Sequence, residues 1–150
     1  VADDVDAFPN NPDETADTDG DGVGDNKDIF PNDENLTTLS DYVDFIINYV
    51  VDDRVLFDTD WKNPANEADF VAELEAVLEL VLAAEAMQDT AGAVLLYSEA
   101  LAMVDDVLIP RTDGFHGGSL ENDWIVIKDA QDIVHPDLVL LSEHLFLMTH

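Results

Sequence analysis

The amino-acid sequence predicts an all-α fold, a bundle of four or five helices that follows a segment without helices. Two observations predict this class. Apolar residues recur with a helical period from residue 38 onward, whereas residues 1–34 contain few large apolar side chains. The first segment also holds 12 of the 35 acidic residues and a single basic residue, Lys27. We therefore expect two domains, residues 1–34 and residues 35–150, of which the second forms the apolar core.

Five stretches of the second domain have the apolar spacing of a helix, and each predicts one: 38–52, 66–87, 89–110, 122–135 and 138–148. Asn66 is the expected N-cap of the second helix, and Asp89 or Thr90 that of the third. The connection between these two helices is only about three residues long, which favours an antiparallel hairpin. Asn122 is the expected cap of the fourth helix, which Pro136 kinks or ends because proline donates no backbone hydrogen bond.

The charge balance excludes several kinds of partner. The formal net charge is −30, with only five Lys and Arg residues, so the clustered basic side chains that bind nucleic acid are missing. An anionic membrane is disfavoured for the same reason. The sequence has no Cys for disulfides or thiolate metal sites, and no apolar run approaches the roughly 18 residues of a membrane span. No signal peptide is recognisable, and we expect the chain to be a piece of a longer protein.

One stretch, residues 17–28, has the side-chain spacing of a calcium loop. Counted from Asp17, oxygen-bearing side chains fall at positions 1, 3, 5, 9 and 12, and a glycine lies at position 6. Position 7, Val23, would offer its backbone carbonyl. Five carboxylates within twelve residues repel one another unless a hard cation holds them, so the spacing predicts a Ca²⁺ site. The alternative is a solvated acidic linker, which has no reason to keep these offsets.

The flanking sequence shows a repeat and restricts the type of loop. Residues 1–10 align with residues 23–32, an offset of 22 residues, so we expect residues 1–9 to be the second half of an earlier loop. Asp3 and Asp6 then correspond to Asp25 and Asp28. An EF-hand or dockerin loop needs a flanking helix, and Pro12 before the loop and Pro31 after it leave no room for one.

A non-helical array of Asp-rich loops separated by Phe-Pro-Asn and Asn-Pro-Asp linkers resembles the thrombospondin type 3 repeat in its Cys-free bacterial form. The resemblance covers residues 1–34 and implies stiff, calcium-dependent spacers in secreted or surface proteins. It also implies the ligands, which are the carbonyl of Val23 and the side chains of Asp17, Asp19, Asp21, Asp25 and Asp28, with Asp3, Asp6 and Asp13 serving neighbouring ions. Lys27 stands where the disulfide-bearing members of the family have Cys, so calcium alone would hold this loop.

Residues 66–147 resemble, by their helical pattern, the small FIMAH-type domains at the C-terminal ends of large bacterial exoproteins. The pattern consists of a long apolar helix, a short turn, a second helix, a Gly-rich loop and a closing helix. Taken together, the two resemblances imply an extracellular protein, either secreted or held at the cell surface.

No catalytic arrangement is recognisable, and we expect that the chain is not an enzyme. The four histidines, His116, His135, His144 and His150, do not have the helical spacing of a zinc site. His116 lies in a Gly-rich loop where Asp113 could orient its ring, although a flexible exposed loop explains the same residues. No serine has the sequence context of a nucleophile.

The sequence therefore predicts a calcium-binding spacer joined to a helical interaction or anchoring domain, for adhesion or for presentation of the helical domain. The partner would be another protein or a surface ligand. The alternative is an accessory module of a secreted hydrolase that binds a ligand or a carbohydrate, for which Trp61 and Trp124 are the signal. A third interpretation makes the last helix the face of a homodimer.

Overall fold

A computed structural model describes residues 6–28, 30–48 and 60–150 of the chain. The chain divides into two compact units, Val1–Tyr42 and Val43–His150. The described residues contain four α-helices: α1 (Leu39–Phe45), α2 (Pro64–Ala86), α3 (Thr90–Met103) and α4 (Lys128–Met148). They contain no strand, only an isolated β-bridge. The predicted all-α class is confirmed, and residues 49–52 of the first predicted helix lie outside the described residues.

Turns and bends alternate with irregular backbone in the described part of the first unit before α1, and several of the turns repeat. Four hydrogen bonds in residues 6–14 have counterparts 22 residues later in residues 28 and 30–36. In the first segment the N–H groups of Phe8, Asn11, Asp13 and Glu14 donate to Asp6 Oδ1, Phe8 O, Asn11 Oδ1 and Asn11 O, in that order. In the second segment the N–H groups of Phe30, Asp33, Asn35 and Leu36 donate to Asp28 Oδ1, Phe30 O, Asp33 Oδ1 and Asp33 O. We call these segments repeat A and repeat B. The sequence repeat is thus also a repeat of backbone structure.

Helices α2 and α3 form the predicted hairpin. Asn63 is the N-cap of α2 and Pro64 its first residue, so the helix begins before the predicted cap Asn66. Asn66 instead lies one turn inside, where its Oδ1 accepts the Asn63 N–H at 3.0 Å. Asp89 caps α3, as predicted, by accepting the N–H groups of Ala91 and Gly92.

The second unit buries one face of each long helix. Helix α3 continues into a π-helical turn, Val104–Leu108, and a 3₁₀ turn, Ile109–Arg111, and it contacts both α2 and α4. The buried residues recur every three or four positions, as in an amphipathic helix. They are Phe70, Leu74, Val77 and Val81, then Tyr97, Ala100, Val104 and Leu108, and finally Val134, Leu138, Leu141 and Leu145.

The predicted fourth helix is wrong in its start. Residues Leu120–Asn122 form a 3₁₀ turn instead, and α4 begins only at Lys128. Between them Ile125 forms an antiparallel bridge with Trp61. The Lys62 N–H donates to Trp124 O at 2.8 Å, which fixes this stretch as extended backbone.

Of the two outcomes predicted for Pro136, a kink or a helix end, the helix end is wrong, because α4 continues through this residue to Met148. A proline inside a helix costs about 3 kcal/mol through its missing N–H and its ring. The fully buried Val134, Leu138 and Leu141 lie on the same helix face, and burying each contributes about 2 kcal/mol. Packing of this face therefore outweighs the local cost of the proline.

In the part of the chain that the structure describes, no helix combines the length and the apolar character needed to cross a membrane.

Candidate metal centre

We call residues 17–28 the Asp loop. Three of its carboxylates lie close together. Asp17, Asp19 and Asp21 each place a carboxylate oxygen within 4.8 Å of the other two, a group that could hold a metal ion. Asp17 accepts the Gly20 N–H at 2.7 Å and the Gly22 N–H at 3.1 Å. Gly20 and Gly22 have φ values of +81° and +98°, a conformation that residues with a side chain rarely adopt, so they allow the loop to curl around Asp17.

Asp19 and Asp21 each use one carboxylate oxygen to hold the loop and leave the other free. Asp19 Oδ1 accepts the Asp21 N–H at 3.2 Å, and Asp21 Oδ1 accepts the Val23 N–H at 2.7 Å. The Oδ2 atoms of both residues are buried and have no hydrogen-bond partner. An unpartnered buried carboxylate oxygen costs free energy that a bound cation would recover, so these residues fit a metal ion.

Asp28, the last residue of the Asp loop, likewise has one carboxylate oxygen that accepts a backbone hydrogen bond and one that has no partner. Its side chain is only 9% exposed, Oδ1 accepts the Phe30 N–H at 2.8 Å, and Oδ2 is buried without a partner. Burial raises the pKa of Asp28, and the negative charges of Asp21, Asp19 and Asp17 raise it further, against the effect of the Phe30 N–H. The negative charges of Asp17, Asp19 and Asp21 thus act on the carboxylate of Asp28.

Asp25 has a different local role. Its Oδ1 accepts the Thr18 N–H at 2.7 Å and its Oδ2 accepts the Thr18 hydroxyl at 2.6 Å. These hydrogen bonds, the side-chain one first, lower the pKa of Asp25. Asp25 thus ties the second half of the Asp loop to its first half, and its role as a ligand stays a prediction.

The remaining predicted ligands lie as follows. Val23 is half-buried and donates its N–H to Asp21 Oδ1. Asp6 Oδ1 accepts the Phe8 N–H at 2.8 Å, as its repeat partner Asp28 does with Phe30. Asp13 is exposed. Asp3 lies outside the described residues. Their participation in metal binding stays a prediction.

Glu14 is a buried carboxylate that the sequence motif does not include. Its side chain is 2% exposed, and Oε2 accepts the Asn26 N–H at 3.2 Å. A Cβ at Gly24 would overlap the Glu14 carboxylate, so only glycine allows this close approach. Oε1 is buried and has no hydrogen-bond partner. The sequence repeat could have indicated that Glu14 is buried, because the equivalent residue of repeat B is the apolar Leu36, which is buried as well.

Comparison with known proteins finds no family model, no curated protein and no solved structure that matches this chain. The geometry of the Asp loop therefore carries the functional interpretation.

The histidines do not build a second centre. The rings of His116 and His135 stack with centroids 4.4 Å apart, and His116 Nε2 pairs with Asp132 Oδ1 at 3.1 Å. The ring of His116 thus pairs with Asp132, and the expected partner Asp113 accepts the His116 backbone N–H at its own backbone carbonyl, at 2.7 Å. Outside Asp17, Asp19 and Asp21, the described residues bring together no group of three metal-binding side chains.

The lowered pKa of His135 predicts that the stability of the second unit depends on pH. Burial lowers the pKa of His135, and the charge of His116 lowers it further, while Asp113 and Asp123 oppose both effects. The unfolded chain therefore takes up this proton first as pH falls below about 6.5, and folding becomes less favourable.

We expect His135→Asn to flatten the fall in urea midpoint between pH 7.5 and 5.5. The exposed His150→Asn is the control, and an equal slope in both variants would contradict the assignment.

Proposed function

We propose that this chain is a calcium-binding structural spacer joined to a helical interaction or anchoring domain of a secreted or surface protein. One observation carries the proposal. Buried carboxylate oxygens of Asp19, Asp21 and Asp28 lack hydrogen-bond partners in a loop whose Asp17, Asp19 and Asp21 converge. Anionic oxygens held this way favour a positive charge between them.

The chemistry of the donors favours Ca²⁺ among metal ions. All converging groups are carboxylates, which suit hard cations, and no thiolate exists in the sequence. Mg²⁺ requires near-ideal octahedral geometry and gives up water reluctantly, whereas Ca²⁺ accepts six to eight oxygens in irregular loops. Extracellular Ca²⁺, near the millimolar range, fills such loops, which supports a location outside the cell.

The flanks of the Asp loop support a spacer over a calcium sensor. A sensor EF-hand responds by changing the angle between two helices. Here the loop lies between the turns of repeat A and repeat B, so binding would stiffen turns. The helical unit would then be presented to a protein or a surface ligand.

The direct test is calorimetric titration of the chain with Ca²⁺. We expect saturable binding that Asp19→Asn/Asp21→Asn abolishes, because two of the converging carboxylates lose their charge while their shape is kept. The matched control is Asp106→Asn/Asp129→Asn, which removes the same charge from exposed positions of the second unit. Absence of saturable binding, or equal binding by the Asp19/Asp21 variant, would reject the proposal.

No observation favours the accessory carbohydrate-binding module over the spacer. Trp61 is buried, and its ring lies 5.5 Å from that of Phe70, so it offers no open stacking surface. The guanidinium carbon of Arg111 lies 5.2 Å from the centre of the Trp124 ring. The homodimer also stays a prediction: Phe146 and Leu147 of the last helix are 52% and 66% exposed.

A further inference from the structure

We propose that Glu14, which precedes the twelve-residue Asp loop, is a further ligand of the ion that the loop binds. This inference rests on the proposed function. It assigns to the site a carboxylate that the spacing of the loop motif does not include.

The Glu14 side chain is buried with one carboxylate oxygen unpartnered. The residue is 98% buried, and its Oε1 has no hydrogen-bond partner among the described residues. A buried ionised carboxylate is costly unless it is paired or coordinates a metal. Carboxylates, which predominate among the polar side chains of the Asp loop, cannot supply a positive charge, and Lys27 is exposed. Glu14 Oε1 is thus a buried carboxylate oxygen without a partner, as are the Oδ2 atoms of Asp19 and Asp21, and a bound cation would supply the missing positive charge.

The chain contains an internal comparison for this position. Glu14 and Leu36 occupy equivalent places in repeats A and B, because both donate their N–H to the carbonyl three residues earlier and both are buried. Leucine is what apolar packing alone would select. In repeat A, whose following residues are the Asp loop, the position carries a carboxylate; in repeat B, which leads into α1, it does not. The repeat position thus carries a carboxylate only where an Asp loop follows it.

The position of Glu14 explains what it would add. Its Oε2 accepts the Asn26 N–H and its carboxylate lies against Gly24, so it reaches the part of the loop around Asp25. There both oxygens of Asp25 already accept hydrogen bonds from Thr18. Glu14 Oε1 would supply an oxygen on the flank where Asp25 is engaged in holding the loop.

The test combines Ca²⁺ affinity with a count of the water molecules on the bound ion. Eu³⁺ replaces Ca²⁺, and its luminescence lifetimes in H₂O and D₂O give the number of bound waters. We expect Glu14→Gln to weaken Ca²⁺ binding about tenfold or more, because affinity follows ligand charge, and to raise the number of waters by about one. The exposed Glu34→Gln removes the same charge from the same unit and is expected to change neither quantity.

The outcomes separate this inference from the proposed function. If the unmodified chain binds Ca²⁺ and Glu14→Gln binds it with unchanged affinity and hydration, Glu14 is not a ligand and the calcium spacer stands. A loss of affinity with unchanged hydration also overturns the inference, because Glu14 then only positions the loop. Failure of the unmodified chain to bind rejects the proposed function. Glu14→Leu, which copies repeat B, keeps an apolar residue at this buried position and is expected to show the same two changes.

Discussion

Removal of Ca²⁺ by EDTA is expected to open the first unit to proteolysis while the helical unit stays folded. The described residues of the first unit include few buried apolar side chains outside α1 and its approach, and the Asp loop gathers carboxylates whose free oxygens repel one another. Ca²⁺ at 100 times its Kd would stabilise this unit by about 2.7 kcal/mol. The second unit draws its stability from the buried apolar faces of α2, α3 and α4.

A glutamate-specific protease gives the sharpest readout of this difference. Glu14 is buried, so cleavage after it reports opening of the first unit, whereas Glu34 is exposed in the same unit. We expect rapid cleavage after Glu14 in EDTA, protection in millimolar Ca²⁺, and an unchanged helical signal in circular dichroism. Asp19→Asn/Asp21→Asn should be cleaved under both conditions. Equal rates of cleavage after Glu14 with and without Ca²⁺ would contradict the prediction.

Gln131→Ala is expected to destabilise the second unit by about 3 kcal/mol. Gln131 is fully buried on α4 and connects three groups. Its Nε2 donates to Asp123 Oδ2 at 2.5 Å and to Ile125 O at 2.6 Å, and its Oε1 accepts the Phe115 N–H at 3.0 Å. The substitution leaves buried polar groups without partners, each of which costs about 1–3 kcal/mol.

Urea unfolding followed at 222 nm measures this effect. The matched control is Gln88→Ala, because Gln88 is exposed in the connection between α2 and α3 and should change stability by at most about 0.5 kcal/mol. Gln131→Leu separates lost hydrogen bonds from lost volume. If unpaired polar groups dominate, the leucine variant is as unstable as the alanine variant. Recovery of most of the stability by leucine would show that the cavity matters more.

Local signals in the sequence predicted much of this structure. The offsets of Asp17, Asp19 and Asp21 predicted their convergence, because a Gly-rich loop of fixed length determines where alternate side chains point. The apolar period predicted α2 and α3, and Asp89 predicted the start of the latter. These features depend on residues within a few positions of one another, so a sequence pattern contains them.

Features that depend on distant residues were not predictable in this way. The stretch after Asn122 has helical spacing of apolar residues but is extended, because its backbone hydrogen bonds go to residues around Trp61. Helix α4 passes Pro136 because its buried face packs in the second unit. Glu14 reaches Asn26 across 12 positions, outside the length of the loop motif. Each of these outcomes required tertiary contacts that local propensity does not encode.

The backbone hydrogen bonds around the Trp61–Ile125 bridge connect two parts of the second unit without the use of side chains. The N–H groups of Lys62, Trp124 and Val126 donate to the carbonyls of Trp124, Arg111 and Asp60, and all these atoms belong to the main chain. Any residue except proline supplies the same donors, so this connection does not depend on which side chains stand at these positions. Substitutions at these positions other than to proline therefore leave the entry of α2 joined to the residues that lead into α4.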